Sequence, residues 1–250
     1  DREQHARWAE RHARLRRDTD ALRQKVEGKT HSIARTFDRV CALLERRGYL
    51  VAGAGGPAGA GAAGAAANGA PARTQAGAVT PAGRQLARIW TESDLLVAEC
   101  LRAGIWAPLT APELAAAVSA LLYESRRDDG SPVRVPDGPV RDALAATVRL
   151  SAELESDEHA HRLQLTREPD LGFAWPAYRW ARGESLDQVL SAAQAGGTEI
   201  SAGDFVRWCK QLLDLLEQIA VVAEPARLAA TARAAAAAVR RGVVAHSGVV

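Results

Sequence analysis

The first stretch of the chain, from Asp1 to about Val26, is dense in Arg and Glu, and Trp8, Leu15, Leu22 and Val26 recur on it at roughly helical spacing. That pattern predicts a long exposed helix carrying a thin apolar stripe. Gly28 marks an interruption, and a second helix is expected from Thr30 to Arg47, where Ile33, Phe37, Val40, Cys41 and Leu44 share a face. Gly48 supplies its C-terminal cap. Tyr49, Leu50 and Val51 are β-prone, Val79-Thr80 ahead of Pro81 offers a return strand, and residues 82–89 read as helical. This is the order found at the end of a winged helix. Between the two candidate strands, residues 52–78 are almost wholly Ala, Gly and Pro, with no side chain to offset the ordering entropy, so a disordered insertion is expected there.

Beyond Thr91 the pattern is that of helices joined by short loops. Helices are predicted over 92–103, 112–125, 139–159, 171–182, 185–193 and 201–223, with a last one from Pro225 to near Gly242. Thr110 with Pro112 and Glu113, and Ser201 with Asp204, are N-terminal signatures. On 201–223, Phe205, Trp208, Cys209, Leu212, Leu213, Leu216 and Ile219 form a wide apolar face that leaves Arg207, Lys210, Gln211, Asp214 and Glu217 off it. The expected fold is mainly α: a stalk helix over 1–30, a winged-helix-like linker over 31–90, and an all-α helical bundle over 91–250.

Composition narrows the function classes. The 250 residues carry 32 Lys+Arg against 30 Asp+Glu, but the first fifty hold 13 basic and 8 acidic side chains, so the cationic end is the N-terminal one. The only long apolar tract is Ala/Gly and too weakly hydrophobic for a bilayer, so no membrane partner is expected. Three separated cysteines, Cys41, Cys100 and Cys209, form neither a disulfide framework nor a zinc ribbon and fit a reducing cytoplasm. The chain contains no methionine and begins at Asp1, which is expected of a piece of a longer protein.

Candidate chemistry is sparse. Gly28-Lys29-Thr30 resembles the end of a phosphate loop, but Arg23 stands where the earlier glycine is required and a charged helix precedes it. Asp157-Glu158-His159-Ala160 follows an amphipathic helix rather than a buried strand, and reads as a solvated helix end. His159 and His161 are two apart, a spacing that points imidazoles in different directions on a helix, so no metal site is expected. The cysteines sit within apolar faces and no nucleophile elbow occurs. No catalytic site is predicted. Trp175, Tyr178 and Trp180 are expected to pack the bundle, with Trp90 and Trp106 packed at helix junctions. Exposed Arg side chains with stackable aromatic rings are ingredients for binding single-stranded nucleic acid.

The string I-W-T-E-S-D-L-L-V-A-E-C-L-R-A-G-I-W-A-P-L-T-A-P-E-L from Ile89, F-A-W-P-A-Y-R-W-A-R-G-E-S-L from Phe173, G-D-F-V-R-W-C-K-Q-L-L-D-L-L-E-Q-I-A from Gly203 and A-V-R-R-G-V-V-A-H-S from Ala238 occur in an order and spacing that resembles the C-terminal helical domain of superkiller-type DExH-box RNA helicases, in particular the actinobacterial HelY-like group. The resemblance implies an accessory RNA-binding domain lining the exit channel for the single strand, joined to a RecA-like helicase core that binds ATP and Mg. It implies no cofactor in this segment itself. Carried over by position, it points to Arg207 and Lys210 as basic contacts to the strand, and to Glu124 or Ser125 as a further contact. Gln211 departs from the arginine common in relatives, which implies neutral hydrogen bonding there. Two competing readings remain: a winged-helix DNA-binding regulator, resting on 31–90, and a protein-interaction scaffold, resting on the exposed helix 1–26.

Overall fold

The computed structural model describes residues 2–51, 78–125 and 133–246, which fall into two units. The first is built on one helix, α1 (Arg2–Arg46). The interruption expected at Gly28 does not occur. A glycine inside a helix costs only about 1 kcal/mol relative to alanine, which the strong helix formers around it offset. Trp8, Leu15, Leu22, Ile33 and Phe37 are all exposed along α1, whereas Leu43 near its end is buried with Tyr49. The helix stops at Gly48, as its sequence position requires: its φ is +78°, and the Tyr49 N–H turns back to the Leu44 carbonyl at 2.8 Å. Of the expected two-stranded wing, the described residues show the bond from the Val51 N–H to the Ala78 carbonyl at 2.9 Å. Among the described residues there is no sheet, and a recognition wing for duplex DNA is not formed by them. The Ala/Gly insertion lies, apart from Ala78, outside the described residues.

The second unit is all helical: α2 (Pro81–Leu86), α3 (Asp94–Arg102), α4 (Ala111–Ser119), α5 (Pro139–Ala160), a single 3₁₀ turn at Leu171–Phe173, α6 (Ala174–Ala181), α7 (Leu186–Ala195), α8 (Ala202–Val222), α9 (Ala226–Val239) and α10 (Gly242–His246). No described helix is long and apolar enough to cross a membrane.

Helix α4 is the axis of the bundle. Leu114, Ala115, Ala116, Ala117 and Val118 are fully buried, and three successive alanines let neighbouring helices approach closely, so α5, α6, α8 and α9 all pack on it. Its start is fixed by a capping box in which Glu113 Oε2 accepts from the Thr110 N–H at 2.8 Å and from its hydroxyl at 2.7 Å. It ends at Ser119, not at 125 as predicted. There the Ser119 hydroxyl donates to the Ala116 carbonyl at 2.8 Å, and the chain tightens into turns that carry it to Tyr123. Helix α8 buries the predicted face: Phe205, Cys209, Leu212, Leu216 and Ile219 have no exposed surface, and its principal partner is α9.

Two further expectations change. Glu158 is not a solvated helix end but 5% exposed, where it accepts from the Thr166 N–H at 2.6 Å and the Thr166 hydroxyl at 2.5 Å. It thereby holds the loop after α5. Trp106 and Trp180 are buried as expected, but Trp90 is 80% exposed. Ile89 takes the buried place instead.

Candidate nucleic-acid interface

The turns after α4 bring Tyr123, Glu124 and Ser125 to the N-terminal end of α8, across the loop that leads into α6. Between them lies a cleft of about 820 Å³. Asp170 ties its walls together. Its Oδ2 accepts from the Ser125 N–H at 2.7 Å and its Oδ1 from the Gly172 N–H at 2.8 Å, while its own N–H donates to the Ala120 carbonyl at 2.9 Å. A carboxylate that accepts two backbone N–H bonds is held firmly, because charge-assisted hydrogen bonds are the strong ones. The loop 167–172 is therefore fixed to the end of α4.

The floor is aromatic. Tyr123 stacks on Phe173 with ring centroids 5.5 Å apart and meets Trp208 edge-on at 5.4 Å. Phe173 continues to Phe205 at 5.6 Å, and Phe205 to Trp180 at 5.3 Å. Such pairs add about 0.5–1.5 kcal/mol each beyond their burial, so the floor is continuous with the core and rigid. Gly172 is part of this fit, since a Cβ on it would lie 2.7 Å from Tyr123 Cε1.

Charge around the cleft is mixed. Five carboxylates line it, from Glu124, Glu168, Asp170, Glu199 and Asp204, against the guanidiniums of Arg167 and Arg207. Arg167 pairs with Glu124 at 3.0 Å and also donates to the Leu122 carbonyl at 3.0 Å. Arg207 pairs with Asp204 at 3.1 Å and lies 4.7 Å over the Trp208 ring. A lining rich in carboxylates repels phosphate and welcomes hydrogen-bond donors such as hydroxyls and amines. Arg207, whose side chain is 54% exposed, retains further N–H donors with which to meet a phosphate.

The sequence-predicted residues divide accordingly. Glu124, Ser125 and Arg207 come together on the cleft. Lys210 and Gln211 do not line it; they are exposed on α8, beyond Arg207. Glu124 presents an exposed carboxylate, whereas Ser125 contributes its backbone N–H to Asp170. Sequence reasoning missed Asp170, Gly172 and Arg167. The Asp-Leu-Gly-Phe order at 170–173 carried the signal for the first two, because Asp two residues before a Gly at a helix start is a side-chain cap. Arg167 had no such signal. Lys29 and its neighbours, the phosphate-loop look-alike, lie inside α1, where backbone N–H groups are committed to the helix and do not form a nucleotide cradle.

Comparison with known proteins places this geometry in context. Residues 76–247 match the family model described as the DSHCT (NUC185) domain. The chain is 49% identical over 248 residues to a protein of Mycobacterium leprae named "Probable helicase HelY", covering 95% of this chain and 24% of that protein. It is 45% identical over 249 residues to the "Probable helicase HelY" of Mycobacterium tuberculosis, covering 97% of this chain and 25% of the relative. The chain thus spans about a quarter of the length of the curated relatives it matches.

Proposed function

Because the chain belongs to the DSHCT domain family, we propose that it is the C-terminal part of an ATP-dependent RNA helicase, and that its second unit is the accessory domain along which the unwound single strand leaves. The one observation that carries this reading is convergence: the Glu124-Ser125 pair and Arg207, far apart in sequence, meet at one cleft at the N-terminal end of a helix whose exposed face continues with Lys210 and Gln211. Arg207 takes a phosphate at the cleft, and Lys210 takes another further along α8. The carboxylates that line the cleft accept hydroxyl and amine donors, and a ribose 2′-hydroxyl is such a donor, which favours RNA over DNA. ATP and Mg are handled by a RecA-like core elsewhere in the same protein, since nothing in α1 forms a phosphate cradle. The partners are then single-stranded RNA and that core, and the setting is the cytoplasm.

The test compares single-stranded RNA with the same DNA sequence in binding titrations of the full-length helicase, with Glu124→Gln beside the wild type. The reading expects RNA to bind more tightly, and the preference to shrink in the variant. Equal binding of the two, unaffected by the substitution, would remove the RNA assignment.

A further inference from the structure

We propose that Trp90 is a base-stacking platform at the far end of the strand path along α8; this rests on the reading above and extends it to a residue that reading does not use. Trp90 is the most exposed large apolar side chain among the described residues, at 80%. Its backbone is nevertheless firmly placed. Ile89 beside it is buried, its carbonyl-bonded N–H closes a turn onto Leu86 at 3.0 Å, and the Trp90 N–H donates to Gln218 Oε1 at 2.6 Å. A large flat ring held out into solvent from a fixed backbone loses little freedom when a base settles on it.

Gln218 locates the ring relative to the basic contacts. At 100° per residue, Arg207, Gln211, Asp214 and Gln218 fall within roughly 40° of one line along α8, and Gln218 lies about 16 Å from Arg207 along the axis. Arg207, Gln211 and Asp214 are exposed and Gln218 is partly so. Trp90 therefore stands at the end of the same stripe that begins at the cleft. In the chain around it, Arg84 and Arg88 are exposed before Trp90, and Glu92 is exposed after it. Arg84 is anchored by donating to the Val79 carbonyl at 3.0 Å. An exposed indole offers a stacking face that tolerates any base, and the exposed Arg84 and Arg88 that precede it in the chain supply charge for the backbone of a strand laid there.

The experiment uses the full-length helicase and an oligouridylate carrying 5-iodouridine. On irradiation, the wild type is expected to cross-link at the peptide containing Trp90. Trp90→Ala and Trp90→Leu are each expected to lose about five-fold or more in affinity, while Trp90→Phe retains most of it, because leucine keeps apolarity but has no aromatic face. Melting temperatures are expected to be unchanged, given the exposure of the ring. Full affinity in Trp90→Leu would mean that the ring serves a protein surface or nothing, and would overturn the proposal. So would cross-links confined to other peptides. If Trp90→Ala binds normally while Arg207→Ala/Lys210→Ala is weakened, this inference fails alone; if the double variant is also normal, the reading beneath it fails.

Discussion

Replacing Gly172 with alanine puts a methyl carbon 2.7 Å from Tyr123 Cε1 and 3.0 Å from Asp170 Oδ1. Neither neighbour is able to give way cheaply. The Tyr123 ring is 5% exposed and is caught between Phe173 and Trp208, while the Asp170 carboxylate is held by the Ser125 and Gly172 N–H groups. Overpacking at a rigid site costs about 1–3 kcal/mol, and a value of about 2 kcal/mol corresponds to a fall in melting temperature of about 4–8 °C for a domain of this size. Circular dichroism melts of Gly172→Ala measure it directly. Adding Tyr123→Ala in the same chain removes the clash, so the two substitutions together are expected to destabilise less than their sum. An unshifted melt for Gly172→Ala, or strict additivity with Tyr123→Ala, would show that the floor is loose and that the cleft is not preformed.

Glu158→Ala is expected to destabilise the second unit by about 3 kcal/mol, because it strips a charged acceptor from two buried-side bonds to Thr166; urea denaturation checks this, and Glu158→Gln is expected to lose less. Cys100 and Cys209 are expected to resist alkylation in the native protein at pH 8 and to react fully once it is unfolded. Burial pushes the Cys100 thiol up to about 12 against a smaller opposing effect of its Thr147 hydrogen bond, and burial raises Cys209 as well. Since the thiolate is the reactive form, a raised thiol stays inert below its own titration range; rapid native labelling of either would contradict the packing of α3 and α8. Arg241→Lys is expected to loosen the end of α9 and lower the melting temperature, because the guanidinium lies 3.6 Å over the Trp180 ring and donates to the Trp180 and Glu184 carbonyls, a combination that an ammonium does not reproduce.

What was legible in the sequence was set by periodicity and by local capping. The α8 face appears in the spacing of Phe205, Cys209, Leu212, Leu216 and Ile219, and all five are fully buried. Thr110 with Glu113 marks the start of α4 for the same local reason. Two of the failures have the opposite property. Glu158 reads as surface because its partner, Thr166, lies in a following loop that no helical period reaches. Asp170 closes onto Ser125 across 45 residues, a link that neither segment announces alone. Gly28 reads as a break because glycine weakens a helix, yet a penalty of about 1 kcal/mol does not interrupt a helix of 45 residues. Of the site, the spacing of Arg207, Lys210 and Gln211 put them on one helix, but only the folded chain shows that Glu124 and Ser125 join Arg207 while Lys210 and Gln211 lie along the helix beyond.

The most direct measurement is the salt dependence of single-stranded RNA binding by the full-length helicase and its Arg207→Ala/Lys210→Ala variant. If each of the two side chains neutralises one phosphate, the double variant binds more weakly at low salt, and the slope of log K against log salt shallows by about 1.4, at roughly 0.7 for each contact to a single strand. Unchanged affinity with an unchanged slope would contradict the assignment of this face of α8 to the nucleic acid.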